Sequence, residues 1–362
     1  MSKFTPKKST RRRWLWLLVS VVILGLIVYN LSQSKEWREF RWDRFWALIT
    51  HARPEFLLAA LAATYSSYLL RAYRWLWFLE PIKKASLWVL FVGQILGFSS
   101  IYLIGRPGEF VRPAYIARKE NVPIAAMVAV WLLERIYDMV FLVLLFAAAL
   151  YLSPLDPAAA RAGTILTRLH TGGLVMFAVT AAIIVALVAF RLRADQSTAW
   201  LVRRCGFLSE NLRRLLEHFL HSFAEGLKVI QNGRDLVASI VITIILWGVN
   251  ASVFWLVFQS LGGDLQHLSW LSAGLAMFFA VLGLVVQLPG IGGGYLVFTA
   301  LALTELFSIG AEAATGAAVM TWIMISVPCL LLGVILLIHE GLTFGKLEAI
   351  AEEEREAVEE EG

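Results

Sequence analysis

Charge is scarce in this sequence. Lys, Arg, Asp and Glu make up 16% of its 362 residues, and 59% are hydrophobic. Soluble domains run at about 25% and about 45–50%. That balance excludes an ordinary soluble domain and points to a polytopic membrane protein. Cysteine is scarcer still. Cys205 lies beside a polar segment and Cys329 inside an apolar run, so no disulfide is expected. Catalytic and nucleotide signatures are missing too. There is no Walker loop, Rossmann fingerprint or Gly-x-Ser-x-Gly elbow, and Ser99, Ser100 and both cysteines lack a base near them in sequence. His218 and His221 sit with Glu217 and arginines on what reads as a solvated face. Glu134-x-x-x-Asp138 is one carboxylate pair, short of a two-metal site. The chain is therefore read as a non-enzyme without cofactor or metal. Its net charge of +5 suits cytoplasmic flanks of membrane spans rather than nucleic-acid binding.

What charge there is concentrates at informative places. After the apolar run 87–104, residues 103–113 bring Gly105, Arg106, Pro107, Gly108, Glu109, Arg112 and Pro113. A charge at bilayer depth costs about 2.5–3.5 kcal/mol. Broken backbone survives there only against protein or a water-filled cavity. Such a stretch reads as a functional site.

Residues 7–13 are basic and precede an apolar run at 14–31, read as a retained signal-anchor with a cytoplasmic N-terminus. Segment 34–53, rich in Trp and Arg, suits an outer interfacial helix. A span at 56–70 ends at Arg71, Arg74, Lys83 and Lys84, a cluster assigned to the cytoplasm. Run 87–104 leads through the broken stretch to Arg118 and Lys119, also cytoplasmic, so it must enter and turn back. A helix from 123 exits near 152, and 174–190 returns. Segment 197–234 has leucines at helical spacing among arginines, as in a cytoplasmic amphipathic helix. Residues 236–261 cross outward. Residues 271–288 then dive in, break at Pro289-Gly290-Ile291-Gly292-Gly293-Gly294, and leave at 295–307. Residues 313–338 return to an acidic tail, 341–362, which reads as cytoplasmic and solvating.

The expected architecture is an all-α polytopic helix bundle of about six spans with two opposed re-entrant hairpins. The membrane domain would cover 1–340, with repeat halves 56–152 and 236–338 in inverted orientation. Paired Gly/Pro breaks of this kind point to a transport-type site near the midplane. Arg106, Glu109 and Arg112 are spaced three apart and can pair on one helical face. Glu134, Arg135 and Asp138 could join them in one buried cluster. The guanidiniums could then hold a lipid phosphate with help from free backbone N–H groups. A structural ion network is the alternative. Gly108, Pro289, Gly290, Gly292 and Gly293 offer close backbone approach to a ligand or, equally, tight helix packing. Arg71 and Arg74, beside Trp75 and Trp77, read first as interface anchors and second as headgroup contacts.

Four motifs in order give the chain a resemblance. Arg71-x-x-Arg74-Trp75, Gly105-Arg106-x-Gly108-Glu109-x-x-Arg112, Glu134-Arg135-x-x-Asp138 and Leu288-Pro289-Gly290-x-Gly292-Gly293 resemble those of the lysylphosphatidylglycerol synthase transmembrane-region, flippase-like family, over residues 10–340. Ile104 stands where the family has a proline, Tyr295 or Leu296 where it often has a glutamate, and Trp322 or a neighbour where an arginine is common. The resemblance implies a multi-pass bacterial inner-membrane protein that moves or handles lipids, with both termini cytoplasmic. Relatives that make lysyl-lipid carry a soluble synthase domain, which is not expected here. Lipid translocation is the leading expectation, with anionic or headgroup-modified membrane lipids as partners. A scaffold for a lipid-modifying enzyme is the second, and a membrane-embedded lipid transferase using Glu134 and Asp138 the third.

Overall fold

A computed structural model describes residues 39–80, 82–152, 233–286 and 292–341, with isolated positions between 25 and 37 and between 171 and 220. Every regular element among the described residues is helical. The expected span 14–31, the return 174–190, the amphipathic helix 197–234 and the acidic tail lie wholly or largely outside them. So do Cys205, His218, His221, Pro289 and Gly290.

Local chemistry sets the helix ends. Helix α1 (Trp42–Thr50) is short. Helix α2 (Pro54–Leu79) opens on a proline, whose missing N–H costs nothing at that position. It does not end near Leu70 as expected. Nothing between Glu55 and Glu80 is glycine or proline, so the helix runs on through Arg71 and Arg74. Helix α3 (Leu87–Ile104) is apolar on all sides, the mark of a helix covered all round. It ends at Gly105, whose φ of +78° a side chain would strain. A 3₁₀ turn (Arg106–Phe110) leads into α4 (Val111–Glu120), which stops at the left-handed Asn121 before Pro123.

Next come α5 (Ile124–Leu152) and α6 (Gly233–Leu261). Helix α7 (Trp270–Gly283) is capped by Ser269, whose hydroxyl accepts from the Ser272 N–H at 3.1 Å. A turn at Leu284–Val286 follows. Helix α8 (Gly293–Phe307) starts after Gly292 and stops at the left-handed Ser308. Helix α9 (Ala311–His339) closes the described chain. Both α6 and α9 are long and apolar enough to cross a membrane. At 29 residues each they span roughly 44 Å, against a hydrocarbon core of about 30 Å.

Helices α3 and α4 form an antiparallel hairpin in close contact. A Cβ on Gly93 would lie 2.8 Å from Ile116 Cγ1, and one on Gly97 would lie 2.7 Å from Arg112 Cβ. Gly108 sits directly against the Ser100–Ile101 backbone. Helices α7 and α8 repeat the device. A Cβ on Gly283 would lie 2.8 Å from Tyr295 N, and one on Gly294 would lie 2.9 Å from Val286 O.

The hairpins serve different ends of the long helices. The α3/α4 hairpin shares an apolar core with Tyr68 to Leu79 of α2, Met127 to Leu133 of α5 and Cys329 to Leu337 of α9. The α7/α8 hairpin shares its core with Ala60, with Leu145 to Ala149 and with Ala314 to Met320 of the same three helices. Polar ties mark each end. Lys119 pairs with Glu340 at 2.6 Å at one, and the Arg53 N–H donates to Ser260 O at 2.8 Å at the other. Helix α9 joins the halves through Pro328, where the Tyr68 hydroxyl donates to Ile325 O and the Ser99 hydroxyl to Cys329 O.

Candidate functional site

Buried charge gathers where α2, α4 and α5 meet. Glu134 and Asp138 stand four apart on α5, hence on one face. Arg74 reaches them from α2. Its two terminal nitrogens donate to Glu134 Oε1 and Asp138 Oδ1, each at 2.7 Å, and the guanidinium is 0% exposed. Thr243 of α6 accepts at 3.2 Å from the Arg74 nitrogen that reaches Asp138. Trp247, one turn further on α6, donates its indole N–H to Asp138 Oδ1 at 3.1 Å. Arg74 is therefore no interface anchor. It is the cation that bridges the two carboxylates of α5, and its removal would take from Asp138 its shortest ion pair.

Arg112 approaches from α4. It donates to Glu134 Oε2, to Glu134 Oε1 at 3.4 Å and to Gln94 Oε1 of α3 at 2.7 Å. The Gly97 contact brings the two limbs together at Arg112. The Glu109–Arg112 pair expected from spacing gives way to Arg112–Glu134, because a carboxylate cut off from water holds the cation most firmly. Glu109 is half-buried on the 3₁₀ turn and acts electrostatically on Arg135 instead. The side chain of Arg106 lies outside the described set.

Two guanidiniums remain only partly paired. Arg71 is 11% exposed and meets Asp138 at 4.0 Å, beyond hydrogen-bond range. Its other contacts are the faces of Phe98 and Trp247, 5.1 and 5.8 Å from ring centroids. Among the described residues it has no hydrogen bond. Arg135 is 41% exposed and stands 3.5 Å from Glu134 and 3.7 Å from Asp138. Four guanidiniums thus face two carboxylates, an excess of two positive charges that Glu109 lowers to one. Such a site suits an anion with several acceptor oxygens. Among the described residues no group of three His, Cys, Asp or Glu is placed to hold a metal ion.

Two of the glycines expected at the site, Gly108 and Gly292, are packed. Gly108 lies on the α3 backbone. A Cβ on Gly292 would come 2.6 Å from the Trp322 indole nitrogen. Gly293 has a positive φ at the start of α8. Sequence reasoning missed Gln94, Thr243 and Trp247. Gln94 was the findable one, an amide alone in an apolar run.

The model of one protein family, described as lysylphosphatidylglycerol synthase TM region, matches residues 10–333. No curated protein matches the chain.

Proposed function

The chain belongs to the lysylphosphatidylglycerol synthase TM region family, and on that premise we propose that it binds an anionic membrane lipid by its phosphate and carries it across the bilayer. The family and the two long apolar helices make it a membrane protein with a role connected to lipids. In this reading the α3/α4 and α7/α8 hairpins are re-entrant and enter from opposite leaflets as halves of an inverted repeat, among about six spans. Lys83, Lys84, Arg118 and Lys119 set the α3/α4 end in the cytoplasm of a bacterial inner membrane.

One observation carries the proposal: the cluster holds more guanidinium than carboxylate, and among the described residues Arg71 has no hydrogen-bond acceptor. A purely structural network would be expected to balance its charges, because an unpaired buried cation is costly. A phosphate diester restores the balance. Arg71, Arg112 and Arg135 receive it, with Arg106 at the hairpin tip. Glu109, Glu134 and Asp138, with Arg74, hold the receivers in place, and the carboxylates would meet a cationic headgroup. With no nucleotide motif in the sequence, movement is passive or driven by a gradient.

The test is a scrambling assay in vesicles of phosphatidylcholine and phosphatidylglycerol carrying a fluorescent phosphatidylglycerol. Wild-type protein should expose inner-leaflet label to an external quencher. Arg71→Gln and Arg135→Gln should slow this about tenfold or more while leaving the protein folded. Transport equal to wild type in both variants would remove the site, and a rate equal to empty vesicles would remove the activity.

A further inference from the structure

The ion cluster reaches the surface at Arg135. Its side chain keeps 41% of its area exposed, whereas Arg74 and Glu134 keep none. Trp131, Arg135 and Met139 follow one another every four residues on α5, so they form one stripe. The turn between α3 and α4 lies alongside. The Phe110 ring sits 6.0 Å from that of Trp131, and Glu109 acts on Arg135. Leu103, Phe110 and Met139 are all exposed. Within this apolar surround Arg135 is underpaired. Its carboxylate contacts of 3.5 and 3.7 Å exceed the roughly 2.7–2.9 Å of a charge-assisted hydrogen bond, and its Nε has no partner among the described residues. An underpaired cation in a membrane protein marks a functional site, and the exposed apolar side chains beside this one suit an anion that carries an acyl chain.

We propose that the seam between the α3/α4 turn and α5 is a lateral doorway. An anionic glycerophospholipid docks there from the bilayer, its phosphate on Arg135 and an acyl chain along Leu103, Phe110 and Met139. This rests on the cluster handling a lipid phosphate and adds the route and the first contact. A water-borne phosphate would share the chemistry of Arg135 but would gain nothing from the apolar flank. The doorway therefore commits to lipid.

Photocrosslinking tests it without requiring transport. The protein carrying p-benzoylphenylalanine at position 110 or 139, and as control at the exposed α6 position 245, is reconstituted in vesicles of phosphatidylcholine and phosphatidylglycerol. The lipids attached after irradiation are then identified by mass. Positions 110 and 139 should capture phosphatidylglycerol at least threefold above its share of the vesicle, position 245 at its share, and Arg135→Gln should abolish the enrichment. Enrichment unchanged by Arg135→Gln, or none beyond position 245, would overturn the doorway. So would its loss to millimolar glycerol 3-phosphate, which would assign Arg135 to a water-borne anion. Enriched capture by a protein that scrambles nothing would sink translocation and leave the doorway standing. Scrambling without enrichment would do the reverse.

Discussion

The α3/α4 and α7/α8 hairpins share a construction. Each breaks beside a glycine of positive φ, Gly105 or Gly292, and each ends in a left-handed residue, Asn121 or Ser308. Each also presses a glycine, Gly108 or Gly294, against the backbone of its other limb. Their equipment differs. The first brings Gln94 and Arg112 to an ion cluster completed by α2 and α5. Beside the second stand Tyr295, Thr299 and Trp322, and the Thr299 hydroxyl only returns to the Tyr295 carbonyl of its own helix. A broken hairpin in this bundle therefore needs no charge to fold. Charge in the first half is equipment added to a scaffold that the second half builds without it.

Removing the central carboxylate should have the largest effect. Glu134 is fully buried and pairs with Arg74 and Arg112. Glu134→Gln should destabilise by about 3–5 kcal/mol, since it strands buried guanidiniums. Thr299→Val, equally buried in the other half, should stay within about 1 kcal/mol. Unfolding in graded denaturing detergent measures both, and equal losses would erase the distinction between the halves.

Glycine substitutions probe what the halves share. Gly108→Ala would place a Cβ 2.5 Å from Ile101 N, and Gly294→Ala one 2.9 Å from Val286 O. Neither backbone can yield cheaply, so each should cost about 1–3 kcal/mol. Lipid movement should separate them. Gly108→Ala displaces the limb that carries Arg112, whereas Gly294→Ala leaves the cluster alone. Equal transport by both variants would make the α3/α4 geometry irrelevant to the site.

Arg71 sharpens the comparison at a single residue. With no hydrogen bond to lose among the described residues, Arg71→Gln should change stability by less than about 1 kcal/mol. Loss of a charged contact to phosphate should weaken phosphatidylglycerol binding by about 1.5–3 kcal/mol, roughly ten- to a hundredfold. Tyr295→Phe, on the uncharged hairpin, should leave that binding unchanged. Native mass spectrometry with phosphatidylglycerol reads both, and a stability loss in Arg71→Gln without a binding loss would make Arg71 structural.

Much of this was legible in the residues. Gly105 to Arg112 marked a hairpin because charge and broken backbone cannot sit in an apolar run by accident, and Glu134-x-x-x-Asp138 marked a helical face. The arginines of α2 were misread. A basic cluster after an apolar run reads as a cytoplasmic flank, yet Arg71 and Arg74 precede the helix end at Leu79. Charge alone could not say which arginines belonged to the flank. The absence of any breaker before Glu80-Pro81 could. Thr243 and Trp247 carried no signal, because their role comes only from how α6 packs.

The smallest prediction concerns how the two ends of the bundle are tied. The α3/α4 hairpin is tied by a charge pair: Lys119, on the last turn of α4, meets Glu340 just beyond α9 at 2.6 Å. At the other end the carboxylate of Glu312 accepts from the backbone N–H of Arg41 at 3.0 Å. The hydrogen bond from Lys119 holds the Glu340 carboxyl below its usual range. A lowered carboxylate pKa stabilises the fold above the unfolded value, near pH 4.3, and the gain disappears as pH falls through the folded value. Lys119 is half-exposed, so the gain should be a few tenths of a kcal/mol. Glu340→Gln should thus lower the melting temperature slightly at pH 7, converge on wild type by about pH 3, and do the same in about 1 M salt. A difference that persisted in acid would mean that Glu340 does not act through its charge, and the charged tie would no longer distinguish this end of the bundle from the other.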